Sequence, residues 1–317
     1  MSKRSVYFNG GFVPESNARI SIFDSSLMFG DMAFEMTRTF NHKPFRLRAH
    51  LERLYASLRL LEIDCGLTIN QMESITIETL DLNTSTEARD VDWQIMHNIS
   101  RGPLEPYRTV FPEGLRPTIC INCWPLITHL GDFFPTYKMG VHLAIPSQQT
   151  IPAQLMDAKA KTRSRMHYQL AQLQAKRMGE SIWPLMLDPD GFLSEGPGWN
   201  IFLVRNKIVY TPEGRNILLG ISRDTTIQLT RKLGLSVKET NIGRYEALQA
   251  DELFCTSTPY CLVHARKFEN QTVGDGIPGP VFLKLMKAWK SHVGLDFVSQ
   301  ARTYSKRLPL WEAATAD

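Results

Sequence analysis

The sequence is short of cysteine, of long apolar runs and of like-charge blocks, and each shortage removes a class of protein. Five cysteines in 317 residues cannot form a disulfide framework. Cys120 and Cys123 make a C-x-x-C, but they lie in "TICINCW", whose alternation reads as a strand with the two thiols on opposite faces. They are expected as reduced core residues. The eight histidines include no H-E-x-x-H, and no Cys/His group has zinc spacing, so no metal site is expected. No apolar run reaches the roughly 20 residues of a membrane span, and "MSKRSVYFNGG" lacks the apolar centre of a signal peptide, so the expected address is cytoplasmic. The 36 basic and 32 acidic residues leave a net charge of +4, dispersed along the chain, which points to neither a nucleic-acid nor a membrane partner. No G-x-x-x-x-G-K-[ST] is present, and the G-x-G of "EGPG" leads into a strand, so nucleotide fingerprints are missing too.

What remains is a chain with 43% hydrophobic residues, enough to bury a sizeable core in two modest domains or one large one. "VYFNGGFVP" is apolar on both sides of Asn9-Gly10, a strong hairpin signal. "MAFEMTRTF" reads as a strand interrupted by Glu35 and Arg38. Leu47, Leu51, Leu54, Leu58 and Leu61 recur at helical spacing, which puts His50 and Arg53 on or beside the polar face. "VDWQIMHNISRG" and "PTICINCW" supply further strands, so the first part is an antiparallel sheet with helices. Between Trp124 and Gly140 the periodicity is lost, and residues 127–139 read as an interdomain connection. Domains at 1–126 and 140–317 follow. The second holds the strand "VHLAI", a helix from about Ser164, the strand "WPLMLD" and the hairpin Gly191 to Pro212. It continues with a helix in "GISRDTTIQLTRKLG", Ser222 as its expected N-cap, and the strand "DELFCTST".

Three features of this second half carry chemistry. Gly220 precedes the first turn of a helix, where unpaired N–H groups suit an anion such as a phosphate. Lys159 and Lys161 stand ahead of an amphipathic helix, near Arg163 and Arg165, and nearby cations favour a reactive neutral amine. Glu195 stands between apolar runs with Gly196, Pro197 and Gly198 beside it. Pyridoxal phosphate requires such a set: a lysine amine, an anion cradle, and an acid for the ring nitrogen.

In family order, "YFNGGFVP", "FGDMAFEMTRTF", "HLERLYAS", the lysine segment, "LSEGPGWNIFLV", "TPEGRNILLGISRD" and "DELFCTSTP" resemble the class IV aminotransferases, the fold type IV pyridoxal-phosphate enzymes. The resemblance implies an α+β fold of two domains. One is a small antiparallel-sheet domain, and the other is larger, β-rich and barrel-like, with helices. It implies pyridoxal 5'-phosphate as coenzyme, Lys161 as the Schiff-base lysine with Lys159 the alternative, and Glu195 as partner of the ring nitrogen. Arg53 would hold the coenzyme phosphate, with Gly220, Ile221, Ser222 and Thr258 completing the cradle. Phe29, Phe34, Arg38 and Arg108 fall where the family binds substrate, while Arg101 has a structural alternative. The implied activity is transamination between an amino acid and a 2-oxo acid, branched-chain-like, with ping-pong kinetics, in a homodimer. D-amino acid aminotransferase, aminodeoxychorismate-type lyase and a non-catalytic coenzyme-binding protein are the alternatives. Met36 stands where the lyases carry a threonine. The segment "KTRSRMHY" departs from the family, leaving Arg165 or Tyr168 to contact the coenzyme's phenolic oxygen. Trp199 replaces a smaller or polar residue, and either shapes a substrate wall or packs.

Overall fold

The computed structural model of the protein describes residues 4–85 and 90–315. The chain falls into two compact units. The first comprises residues 1–129, 160–165 and 306–317, and the second residues 130–159 and 166–305.

In the first unit, β1 (Ser5–Phe8) and β2 (Gly11–Pro14) form the expected hairpin. Asn9 and Gly10 both take positive φ, 49° and 105°, as the tight hairpin turn demands. Next come α1 (Ser25–Phe29), β3 (Met32–Phe40), β4 (Lys43–Pro44), α2 (Leu47–Leu60), α3 (Ile69–Thr84), β5 (Trp93–Ser100) and β6 (Thr118–Pro125). The six strands make one antiparallel sheet in the order β2-β1-β6-β5-β3-β4. One core joins Leu47, Leu51, Leu54 and Leu58 of α2 and Met72 and Leu80 of α3 to Ala33, Trp93, Ile95, Ile99, Ile119, Ile121 and Cys123 of the sheet. Because strand side chains alternate, Glu35 shares the face of Ala33, whereas Phe34, Met36 and Arg38 share the opposite face. Register puts Phe34 beside Asn98 and Met36 beside Met96 on that second face. Cys120 and Cys123 point to opposite faces, and both are free thiols.

Residues 127–139, expected to be aperiodic, form a helix instead, α4 (Ile127–Met139). Its pattern is obscured by Gly131 and Pro135. A Cβ on Gly131 would lie 3.1 Å from the Tyr304 backbone, so the glycine serves close packing rather than a break.

The second unit continues with β7 (Val141–Ala144), α5 (Met166–Met178), β8 (Ile182–Pro184), β9 (Glu195–Gly196), β10 (Trp199–Arg205) and β11 (Ile208–Pro212). After these come α6 (Ile221–Lys232), β12 (Val237–Thr240), α7 (Arg244–Leu248), β13 (Glu252–Ser257), β14 (Cys261–Phe268), β15 (Gln271–Thr272), α8 (Pro280–Val293) and α9 (Phe297–Thr315), whose residues from 306 on count with the first unit. Its mixed sheet runs β12-β11-β10-β13-β14-β7-β8, with β9 paired to β10 and β15 to β14. The hairpin β10–β11 turns at Asn206 and Lys207, both at positive φ, and every β10 residue from Trp199 to Val204 is buried. The N-cap of α6 is Gly220 rather than Ser222, which lies inside the first turn and is buried.

Candidate active site

The lysine segment belongs to the first unit, although it is remote in sequence. It adds to the edge of β3: Lys161 C=O accepts from Phe34 N–H at 2.9 Å, Arg163 N–H donates to Met32 C=O at 2.9 Å, and Thr162 bridges Ala33. Ser57 of α2 fixes the same peptide, accepting from Lys161 N–H at 3.0 Å while donating to Arg53 C=O at 3.0 Å. Lys161 is consequently buried, with Nζ 4.6 Å from the Phe34 ring centroid. Lys159 is different: its side chain is 46% exposed and its ammonium lies 3.3 Å from Asp157. The resemblance puts Lys161 ahead of Lys159, but the physical difference between them, the pairing with β3 that buries one, is long-range and has no local signal.

Behind Phe34, on the α2 side of the sheet, Glu35 is fully buried. Arg53 grips it with two hydrogen bonds, Nε to Oε2 at 2.8 Å and Nη2 to Oε1 at 2.7 Å. Met36 N–H donates to Oε1 at 2.9 Å, and His50 Nδ1 lies 3.1 Å from it. Burial alone would push the Glu35 carboxyl up. The Arg53 guanidinium and His50 outweigh it and hold the group well below the usual carboxylate range. His50 and Arg53 are one helical turn apart, and this buried acid turns both inward from the polar face expected of them.

Farther along the same core lies His97. Thr76 donates its one hydroxyl proton to Met72 C=O at 2.6 Å, so at 2.8 Å His97 Nε2 must donate to the Thr76 oxygen. That leaves Nδ1 as a bare, buried nitrogen with no hydrogen-bond partner among the described residues. Burial accordingly pulls the His97 pKa down to about 4.

The second unit carries the acid. A two-residue turn, Pro197-Gly198 with Gly198 at φ 93°, brings Asn200 opposite Glu195. Glu195 is buried and accepts three hydrogen bonds, from Tyr168 Oη at 2.6 Å, Asn200 Nδ2 at 3.0 Å and Leu218 N–H at 3.1 Å. Tyr168, a candidate for the phenolic oxygen, therefore has its hydroxyl on the acid. Asn200 escaped the sequence reading, although the short turn already implies a cross-strand pair at 195 and 200. Trp199 is buried and packs on Gly196, where a Cβ would overlap the indole. A Cβ on Gly220 would likewise overlap Asn200 Oδ1, so the glycine lets the α6 N-terminus approach the Asn200–Glu195 pair. Ile221 and Ser222, both buried, form the first turn of that helix, at the positive end of its dipole. Thr258 lies half-buried in the turn between β13 and β14.

The expected substrate residues separate. Phe34 is buried beneath Lys161 and the arginines. Phe29 is 70% exposed at the end of α1. Arg38 is fully buried, with its guanidinium over Phe40, 3.7 Å from Asp92, and Nε on Thr39 C=O. Arg108 pairs with Glu105 on the surface. Arg101 binds Asp31 and the Leu61 and Glu62 carbonyls at the end of α2, the structural role its sequence context allowed. Among the described residues no group of three or more His, Cys, Asp or Glu could hold a metal ion, and no helix is long and apolar enough to cross a membrane.

A buried lysine, a three-donor carboxylate and a helix N-terminus next to that acid are the parts of a coenzyme-dependent aminotransferase, and comparison with known proteins agrees. The family model for class IV aminotransferases matches residues 32–268, and the chain belongs to that family. It is 31% identical to a Methanocaldococcus jannaschii protein named "Putative branched-chain-amino-acid aminotransferase", over 90% of this chain and 95% of that one. The D-alanine aminotransferase of Bacillus licheniformis is 26% identical over 91% of this chain and 96% of its own. Among solved structures, the branched-chain amino acid aminotransferase from Thermobaculum terrenum, in its PLP-bound holo-form, superimposes with a TM-score of 0.79. It is 25% identical, with 95% of this chain and 97% of that chain covered. The function shown is that of a class IV aminotransferase.

Proposed function

We propose that the protein binds pyridoxal 5'-phosphate and transfers the amino group of a branched-chain amino acid to a 2-oxo acid. The observation that carries the reading is Lys161: a buried amine whose backbone is fixed by β3 and by Ser57. Bound pyridoxal phosphate supplies an aldehyde that condenses with amines and a ring that accepts electrons from a substrate's α-carbon. Lys161 Nζ is the chain's attachment point for that aldehyde and its base for the α-proton. Glu195 offers an acceptor-only carboxylate, oriented by Tyr168, Asn200 and Leu218 N–H, which is what a protonated ring nitrogen needs. Arg53, its guanidinium plane set by Glu35, supplies a positive charge for a phosphate. In the second unit the α6 N-terminus at Ile221 and Ser222, with the Thr258 hydroxyl, offers neutral donors of the kind a phosphate takes. Phe29, Phe34, Arg38 and Arg108 remain in the proposal as the family's substrate-side positions, and the fully buried Arg38 acts there through Phe40 and Asp92.

A cytoplasmic homodimer is proposed with this activity. In support, Ile20, Ile22, Leu27, Met28 and Phe29 expose apolar surface within one short stretch, the kind of surface a second copy covers.

The test is to add pyridoxal phosphate to the purified chain, reduce with borohydride and map the adduct. Modification at Lys161 is expected, and is expected to vanish in Lys161→Ala. An adduct at Lys159, or none, overturns the assignment. A donor screen with L- and D-amino acids should then show turnover with L-leucine, L-isoleucine or L-valine, and turnover restricted to D-amino acids would overturn the branched-chain reading.

A further inference from the structure

The segment "KTRSRMHY" holds two arginines, and of these Arg163 is left without a task by the proposed chemistry. Lys161 and Arg163 are two residues apart on an extended segment, so both side chains leave on the same side, about 7 Å apart along the backbone. Both meet Phe34. Lys161 Nζ is 4.6 Å, Arg163 Cζ 3.9 Å and Arg165 Cζ 5.5 Å from that one ring centroid. Two guanidiniums and an amine thus meet at one ring, and guanidiniums beside the reactive amine make a setting suited to an anion.

Arg163 makes the clearest case. One edge of its guanidinium is fixed on the second face of the first sheet: Nε and Nη2 donate to Asn98 Oδ1 at 3.1 and 2.7 Å, and Nη2 lies 2.8 Å from Met96 Sδ. These partners are neutral. Among the described residues Nη1 has no partner, and the side chain is exposed. Arg163 is thus a fork held rigidly along one edge with two donors presented at the other.

Resting on the aminotransferase reading, we infer that Arg163 binds the carboxylate of the amino-acid substrate, held in place by Asn98 and Phe34. A guanidinium matches a planar carboxylate through paired donors. The spacing also suits the chemistry. An α-carbon served by Lys161 carries its carboxylate one bond away, and a further hydrogen-bonded contact of ordinary length spans a gap on the order of two strand residues. On the same sheet face, Met36 and Met96 are cross-strand partners and half-buried, an adaptable apolar surface for an aliphatic side chain. Partial burial and the neighbouring Arg165 lower the Arg163 pKa, as expected for a cation that lacks a protein counter-charge.

The experiment compares the holoenzyme with Arg163→Gln and Arg163→Lys. One readout is the Kd for 4-methylvalerate by calorimetry, and the other is KM and kcat for L-leucine against 3-methylbutylamine, the same donor without its carboxylate. In Arg163→Gln the Kd for 4-methylvalerate and the KM for leucine are expected to rise at least tenfold. The kcat should change less than KM, the KM for the amine should stay within about twofold, and Arg163→Lys should recover part of the loss. A Kd for 4-methylvalerate within twofold of wild type in both variants overturns the inference. So does loss of coenzyme from Arg163→Gln with carboxylate affinity intact, which would place the arginine on the coenzyme instead. If wild-type protein takes up no coenzyme, the aminotransferase reading fails by itself, while the 4-methylvalerate titration still decides whether Arg163 is a carboxylate site.

Discussion

Glu35→Gln keeps the shape of the side chain and removes one charge from the centre of the first unit. The native carboxylate is fully buried, takes both bonds of the Arg53 fork at 2.7 and 2.8 Å, and accepts from Met36 N–H. If the amide oxygen keeps the Met36 and Arg53 Nη2 bonds, its NH2 group must face Arg53 Nε, donor against donor. If the amide flips, it confronts Met36 N–H and Nη2 instead. Either way the guanidinium, 11% exposed, loses its counter-ion at a fully buried site, a change that costs about 3–5 kcal/mol when one partner of a buried pair is removed. Equilibrium urea unfolding should show a loss of that size. Arg53→Leu combined with Glu35→Leu should cost less than the two single changes together, because no charge is then left unpaired. The same substitution should weaken pyridoxal phosphate binding, since Glu35 sets the plane of the guanidinium. A loss below about 1 kcal/mol for Glu35→Gln would refute the reasoning, because it would mean that water or another group satisfies Arg53 at no cost.

Acid should destabilise the protein over a defined window. His97 has a folded pKa of about 4 against the usual 6.5, so the unfolded chain binds the proton first. Stability is complete above pH 6.5 and falls as pH drops towards 4, by about 3 kcal/mol at ~1.4 kcal/mol per unit. His50 and Glu35, both also lowered, act in the same direction, and His97→Gln should flatten the curve in urea titrations repeated from pH 8 to 4.5. Gly220→Ala is backbone-compatible at φ −64°, ψ 136°, yet its Cβ overlaps Asn200 Oδ1. A stability loss of about 1–3 kcal/mol, with weaker coenzyme retention as Asn200 is pushed from Glu195, should appear in thermal melts and in dialysis against coenzyme-free buffer.

Much of the fold was legible because local signals and final structure coincide. Asn9-Gly10 turns where the dipeptide predicts, and α2 follows its leucines. The remainder shows where local signals mislead. The α3 sequence is rich in Ile and Thr, residues that favour strands, and its helix is marked mainly by the Thr68–Gln71 capping box, with Thr68 Oγ1 accepting from Gln71 N–H at 3.3 Å. In α4, Gly131 and Pro135 read as breakers, while the helix needs the glycine to meet the Tyr304 backbone. At α6 the serine looked like the cap because serines usually are. The cap is Gly220, since a side chain there would strike Asn200.

The candidate site divides along the same line. Glu195 was noticed because a carboxylate beside an apolar strand is expensive unless it has donors, and the structure supplies three. Glu35 reads locally as an interruption in a strand, although it is buried just as deeply, because its counter-ion comes from a helix 18 residues later. An acid in an apolar strand calls for a cation in reach of its face, and "HLERL", whose His50 and Arg53 lie on one helical turn, was the available donor. The same attention to partners singles out Arg163: its partners among the described residues are neutral, which leaves room for the charge of a bound molecule. A carboxylate acceptor accounts for that charge, and the tight packing of Arg163 against Phe34, 3.9 Å from the ring on which Lys161 also rests, puts it within reach of the base.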